Sequence, residues 1–197
     1  MRFNDTFNKV AKFTIFFISI QPINTPAKAQ FNASKSCKAA SGETITPVVE
    51  LYTSEGCSSC PPAEKWLNTL KGKTASNSSA NPAVIQAFHV NYWDYIGWPD
   101  RFATAAHTNR QRQISAWNKQ NGIYTPQMVL NGADWRGWGS VGPFNAAVPA
   151  SKTIATSSIN LTQTGTDQFE AIVSPVSGTN SPSGAWSAYW TITEHGH

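Results

Sequence analysis

The stretch Glu55-Gly56-Cys57-Ser58-Ser59-Cys60-Pro61-Pro62 joins an apolar strand pattern to a helical one, and two thiols at that spacing can close on each other. Before it, Pro47-Val48-Val49-Glu50-Leu51-Tyr52-Thr53 is β-branched and aromatic, bounded by proline on one side and Ser54-Glu55-Gly56 on the other, which reads as a mostly buried strand. After it, Ala63, Trp66, Leu67 and Leu70 recur at helical spacing among Glu64, Lys65, Lys71 and Lys73, with Gly72 near the end. Proline has no amide hydrogen and is tolerated in a first helical turn, so Pro61-Pro62 put the helix start at or just before Pro61. Cys57 then lies in the turn feeding a helix N-terminus, where unpaired amides and the helix dipole favour a thiolate. This predicts Cys57 as an exposed nucleophile and Cys60, further in, as the thiol that resolves a mixed disulfide.

The first 29 residues have a different character. Arg2, Lys9 and Lys12 precede the apolar run Phe13 to Ile20, and Ala27-Lys28-Ala29 follows, so the segment reads as a secretory leader cleaved before Gln30. The apolar run is too short to cross a bilayer, and no later segment approaches the roughly 20 apolar residues required. The expectation is a periplasmic or secreted protein that does not span the membrane once cleaved. The leader holds four of the 15 basic residues and one of the 11 acids, so the remainder is near neutrality. No basic cluster survives to bind nucleic acid.

The chain of 197 residues, 40% of them hydrophobic, is long enough for one core and a small appended unit. Eight tryptophans are many for this length, and Trp93, Trp98, Trp135 and Trp138 fall in segments expected near the cysteine turn, either lining a binding surface or packing core and loops. Residues 30–46 read as a polar N-terminal tail holding Cys37, taken as a free, silent thiol; an unpaired cysteine in an exported chain also admits an intermolecular bond or exchange with the pair. Lys73 to Pro82 reads as a surface loop. Val84 to Trp93 reads as a second buried strand, and strand, helix, strand implies a parallel pair with a right-handed crossover. Asp94 to Pro99 then falls at the carboxyl edge of the sheet with Cys57, where open α/β sheets bind ligands. Arg101 to Gln120, with Phe102, Ala105, Ala106, Ile114 and Trp117 at near-helical intervals, predicts a surface helix closing at Asn121-Gly122.

Ile123 to Gly132 enters a short strand through Pro126 and leaves through Asn131-Gly132, a hairpin signal with Asp134 to Gly139 as the returning strand. A last helix is expected over Gly142 to Val148. From Thr153 onward Ile159/Leu161, Phe169/Ala171/Val173 and Trp186/Ala188/Trp190/Ile192 alternate with polar residues, which predicts an antiparallel β extension over 153–197. Its last segment ends within what reads as a hairpin, leaving an open edge.

The order strand, C-x-x-C, helix, strand, helix, then Thr125-Pro126 opening a hairpin, resembles the thioredoxin fold. The wording of Val49 to Pro62, His89 to Trp98 and Tyr124 to Gly132 is closer to one bacterial family of exported thioredoxin-like proteins, domain of unknown function 1223. The resemblance implies an α/β fold over 47–152: a thioredoxin-like mixed sheet flanked by helices, with the small C-terminal antiparallel β extension beyond it. It also implies a cis peptide before Pro126 that exposes the backbone of Thr125 to an extended substrate. Thiol-disulfide exchange follows from the fold and the cysteines, since the family itself is named for its unknown function. Two departures stand out. Gly56 replaces the tryptophan that thioredoxins carry before the first cysteine, and the nearest strand acid, Glu50, is one position off the register of their buried aspartate.

The candidate catalytic residues are therefore Cys57, Cys60 and Pro126, with Glu50, Asp94 and Thr125 as possible support. Glu50 is either a proton acceptor for Cys60 or a paired structural acid, because an unpaired carboxylate in a covered strand is expensive. Asp94 either serves the site or caps the loop after it. His89, mid-strand, reads as a hydrogen-bonded histidine rather than a metal ligand, and neither it nor His107, His195 and His197 has zinc-site spacing. No cofactor is expected. The expected partners are protein thiols and disulfides or an electron-donor protein. Two other functions compete: a carrier holding Cu(I) between the two thiolates, and a non-catalytic binding module in which the disulfide staples the turn.

Overall fold

The structure, a computed structural model, describes residues 11–16, 37–70, 83–140, 153–176 and 188–193. Within them the strands and α-helices run β1 (Ala11–Phe16), β2 (Lys38–Ala40), β3 (Val48–Thr53), α1 (Pro61–Asn68), β4 (Val84–His89), α2 (Ala105–Trp117), β5 (Gln127–Leu130), β6 (Ala133–Asp134), β7 (Ser157–Gly165) and β8 (Gln168–Pro175). Two 3-10 turns, Asn91–Ile96 and Arg136–Ser140, follow β4 and β6. The chain is mixed α/β with two four-stranded sheets, and contacts divide it into a unit over Thr46–Lys152 and a second formed by Met1–Ile45 with Thr153–His197.

In the Thr46–Lys152 unit the strand order is β4-β3-β5-β6. β3 and β4 are parallel, β5 is antiparallel to β3, and β6 returns antiparallel to β5. β3 is central, and its period of two divides the core. Val49 and Leu51 join Ala63, Leu67 and Leu70 of the α1 segment with Met128, while Tyr52 joins Phe88, Val90, Ile114 and Val129 on the other face. Tyr52 stacks on Phe88 with ring centroids 5.4 Å apart. Trp66 of α1 carries Trp135 and Trp138 against the first cluster, edge to face or tilted, so these two indoles pack on the helix.

Three sequence expectations change here. The second strand ends at His89 rather than Trp93, and it forms the edge of the sheet, with only Phe88 buried along it. Residues from Asn91 leave the strand and coil into the 3-10 turn Asn91–Ile96. The helix after it is shorter than Arg101 to Gln120, and its buried face is Thr108, Gln111, Ile114 and Ser115; Ala105, Ala106 and Trp117 point to solvent. Those buried polar groups are retained because each has hydrogen bonds to make. The returning strand of the hairpin is two residues long before Arg136–Ser140 winds into a 3-10 turn. The hairpin turn itself has Asn131 at φ 51° and Gly132 at φ 80°, as Asn-Gly predicts. The loop expected at Lys73 to Pro82 lies outside the described residues, and so does the helix expected at Gly142 to Val148.

In the other unit the order is β1-β8-β7-β2, all antiparallel. β7 and β8 form the alternating hairpin across Gly165-Thr166-Asp167, with a register shift between Gln163 and Gly165. β2 brings part of the segment read as a tail into this sheet, where Cys37 is a free, exposed thiol whose carbonyl accepts the amide of Gln163. Residues 188–193, expected in a strand, have no regular secondary structure, and Tyr189, Trp190 and Ile192 are exposed. The edge of β8 away from β7 pairs with β1, Phe13 opposite Ala171 and Ile15 opposite Phe169. β1 lies within the segment read as a leader.

Candidate functional site

The turn between β3 and α1 is built by successive short-range bonds. The amide of Cys57 donates to Ser54 O at 3.0 Å, that of Cys60 to Cys57 O at 3.2 Å, and those of Ala63 and Glu64 to Cys60 O. Cys60 is the N-cap of α1, with Pro61 and Pro62 in its first turn as the missing amides require. Cys57 and Cys60 are joined in a disulfide. Thr53, at the end of β3, donates its hydroxyl to Glu64 in the first turn of α1 and so fixes the helix against the strand.

Contrary to the sequence expectation, Cys57 is not exposed. It retains 3% of its surface and Cys60 none, while Ser58 and Ser59 between them face solvent. Next to Cys57, a Cβ built on Gly56 would stand 3.0 Å from Ile96 Cδ1 and 3.2 Å from Trp93 Cβ, so the 3-10 turn Asn91–Ile96 packs on the residue before Cys57, while Ser59 Oγ lies 3.6 Å from Cys57 Sγ. The absent tryptophan before Cys57 is thus the space that Trp93 and Ile96 use. At its far end Trp93 donates its Nε1–H to Thr125 Oγ1 at 2.7 Å, and the Thr125–Pro126 peptide is cis. One side chain therefore touches both the cysteine turn and the proline loop.

A second group holds the turn from the opposite side. Asp100 is buried and accepts at Oδ2 from the Glu55 amide at 2.8 Å and from His89 Nδ1 at 2.6 Å, and at Oδ1 from the Phe102 amide at 2.9 Å. Burial works to push its carboxyl up, but the Glu55 amide, the His89 ring and the Phe102 amide outweigh it and hold it below the ordinary aspartate value. Asp94, of which a site role was one expectation, accepts the Asp100 amide at 3.1 Å and so caps this loop. Glu55 also receives the Trp98 indole at 3.0 Å.

Glu50 lies on the α2 side of β3, 2% exposed, where Nε and Nη2 of Arg110 converge on its Oε1. Of its two readings the geometry places it in an ion pair. Arg110 also lies 5.6 Å from the centre of the Phe88 ring.

The proline loop is fastened by polar residues that apolar periodicity does not register. Gln111 donates to Tyr124 O at 2.7 Å and to Gln127 Oε1 at 2.9 Å, and Gln127 donates to Gln120 and Asp134. Tyr124 donates its hydroxyl to Asp134 Oδ1 at 2.6 Å, and Arg136 meets Oδ2 of the same carboxylate at 3.0 Å. Burial raises Asp134, yet the bonds from Tyr124, Gln127, Arg136 and Gln120 keep it below its usual value. The Tyr124 phenol moves the other way, raised by burial and then by the adjacent Asp134. Tyr92, beside Gln111 and Thr125, is likewise raised by burial.

The structure thus joins Cys57 to Cys60, links their turn to Thr125 and the cis-proline loop through Trp93, and leaves Glu50 and Asp94 in structural bonds. Sequence reading missed Asp100, Arg110, Gln111 and the role of Trp93. The spacing of Thr108, Gln111, Ile114 and Ser115 was the available signal for the buried face of α2, because polar residues at i, i+3 and i+7 around an isoleucine mark one helix face. Among the described residues no group of three or more His, Cys, Asp or Glu side chains is placed to hold a metal ion, and no helix is long and apolar enough to cross a membrane.

The motifs that make this site fall inside a family match: residues 48–195 fit the model for protein of unknown function DUF1223. The chain belongs to the DUF1223 family. A crystal structure of a protein from Agrobacterium tumefaciens, determined in a structural genomics programme, is 33% identical over 62% of this chain and 58% of that one, with a TM-score of 0.41. The chain spans only that 58% of the relative's length. No curated protein matches it.

Proposed function

We propose that this DUF1223 protein is an exported thiol-disulfide oxidoreductase built on a thioredoxin-like domain, with Cys57 as the exchanging sulfur and Cys60 as its partner. The observation that carries the reading is the Cys57–Cys60 disulfide at the start of α1, linked through Trp93 to the loop at cis-Pro126. The strand order second, first, third, fourth, with a parallel first pair and antiparallel third and fourth strands, supports the thioredoxin-like part.

In the oxidised form described here, a partner thiolate attacks Cys57 Sγ, the Cys57–Cys60 bond breaks, and Cys60 leaves as a thiolate that takes up a proton. A second partner thiol, deprotonated, then attacks the partner sulfur of the mixed disulfide and releases Cys57 as a thiolate. The partner loses two electrons and becomes a disulfide, and the protein gains them as two thiols. Run backwards, the same steps reduce a partner disulfide through Cys57.

Cys60→Ser is expected to accumulate mixed disulfides with client proteins through Cys57, visible as reductant-sensitive bands on non-reducing gels. If no adducts form, and the native protein reduces no insulin disulfide, the reading fails. The burial of both sulfurs favours one rival, a binding module with a structural disulfide. A reduction potential below about −300 mV, beyond the reach of glutathione, would select it. Export rests on the charge and apolar pattern of residues 1–29. Expressed in an exporting bacterium, the mature chain is expected to begin at Gln30 by intact mass, and retention of Met1 in the exported fraction would oppose cleavage.

A further inference from the structure

The Asn91–Ile96 turn lies on Gly56, immediately before Cys57, and is fastened by a few hydrogen bonds. At its start the Asn91 amide donates to Thr108 Oγ1 at 3.1 Å, and that hydroxyl donates to Asn91 Oδ1 at 2.7 Å. At its end the Gly97 amide reaches Asp94 O at 3.4 Å and the Asp100 amide donates to Asp94 Oδ1 at 3.1 Å. No residue of the turn is buried, and Tyr95 and Ile96 are 81% and 48% exposed. Tyr92 and Trp93 rest half-buried on the cluster around Tyr52 and Phe88, and a segment with no fully buried residue opens locally at less than the cost of unfolding. The bond from Trp93 Nε1 to Thr125 Oγ1 ties its middle to the proline loop.

We propose that Trp93 is the latch of a strap formed by Asn91–Ile96, and that the strap must swing off Gly56 before any thiol reaches Cys57 Sγ. This rests on the reading of Cys57 as the exchanging sulfur. An attacking thiolate approaches along the sulfur–sulfur axis, and a cysteine with 3% of its residue surface open leaves little room for that approach in the closed form. Trp93 acts through access and does not touch the reacting atoms. It sets how fast the disulfide is reached, leaving the free-energy difference between disulfide and dithiol to the turn itself.

The test uses dithiothreitol with the native protein, Trp93→Phe, Thr125→Val and the double variant. Two dithiothreitol thiols close to a cyclic disulfide and pass two electrons and two protons to Cys57–Cys60; acid quench and alkylation count the thiols by mass. Trp93→Phe keeps an aromatic body and loses the donor, whereas Thr125→Val loses the acceptor at similar volume. Each is expected to be reduced about five- to tenfold faster, as for loss of one hydrogen bond that holds the closed form. The double variant is expected to be no faster than the singles because both remove the same bond. The oxidised fraction at equilibrium in a dithiothreitol redox buffer is expected to stay at the native value. Native rates in both single variants overturn the proposal, as does acceleration that merely tracks a lowered urea midpoint, which marks global opening. These rates are separate from the trapping of clients by Cys60→Ser, so failure of the strap and failure of the exchange reading are told apart.

Discussion

Arg110→Met is expected to destabilise the protein by about 3–5 kcal/mol, because it leaves the Glu50 carboxylate in the covered face of the central strand without its guanidinium. Glu50 is 2% exposed and the Arg110 side chain 16%, so water cannot replace the lost partner well. Coulomb attraction between such groups is strong only in the geometry that the fold holds, whereas the desolvation of a carboxylate is suffered whenever the strand is buried. The double change Glu50→Leu with Arg110→Met is expected to return most of the stability, since it removes both charges and fills the space with apolar atoms. Urea unfolding of the oxidised proteins measures both. A single-variant loss below about 1 kcal/mol would show that Glu50 is not sustained by this pair.

Asp100→Ala is the second large effect, with an expected loss of about 3 kcal/mol. The change strips the amides of Glu55 and Phe102 and the ring of His89 of one shared acceptor, and a buried donor left unsatisfied costs more than the bond contributed. Asp100→Asn preserves the shape with one acceptor oxygen and is expected to lose less. The pH dependence has a definite sign. The carboxyl is held below its ordinary value of 3.8 in the fold, so the stability it contributes is complete above that value. That stability is lost as pH falls through the lower, folded value. The gap between native protein and Asp100→Asn, followed by urea midpoints from neutral pH downward, is expected to close in acid. A gap that persists unchanged at the lowest pH would mean that the charge of Asp100 contributes nothing.

These two residues show where reading the chain alone stops. Asp100 meets the Glu55 amide across 45 positions, and Arg110 meets Glu50 across 60. No local period links them. The apolar pattern of 101–120 also misled, because the face of α2 that turns inward carries Thr108, Gln111 and Ser115, whose hydroxyls and amide serve Asn91, Tyr124 and Gly122. Hydrophobic spacing counts methylenes and is blind to a buried face built for hydrogen bonds. The second strand was read as buried from its composition, yet it is an edge, since strand position in a sheet depends on which partners arrive later in the chain.

What the sequence by itself determined is local: the strand ending at Thr53, the turn with Cys57 and Cys60, the helix starting at Pro61-Pro62, and the Asn131-Gly132 hairpin. Each follows from dihedral limits and amide accounting within a few residues. Only the tertiary structure decided that both cysteines lie buried. Beside them Gly56 lacks a Cβ where Trp93 and Ile96, some 40 residues on, come to rest, and Thr125 meets the indole of Trp93. The reactivity of a C-x-x-C pair is written in its turn, but its accessibility is set by whatever distant segment the fold lays over it.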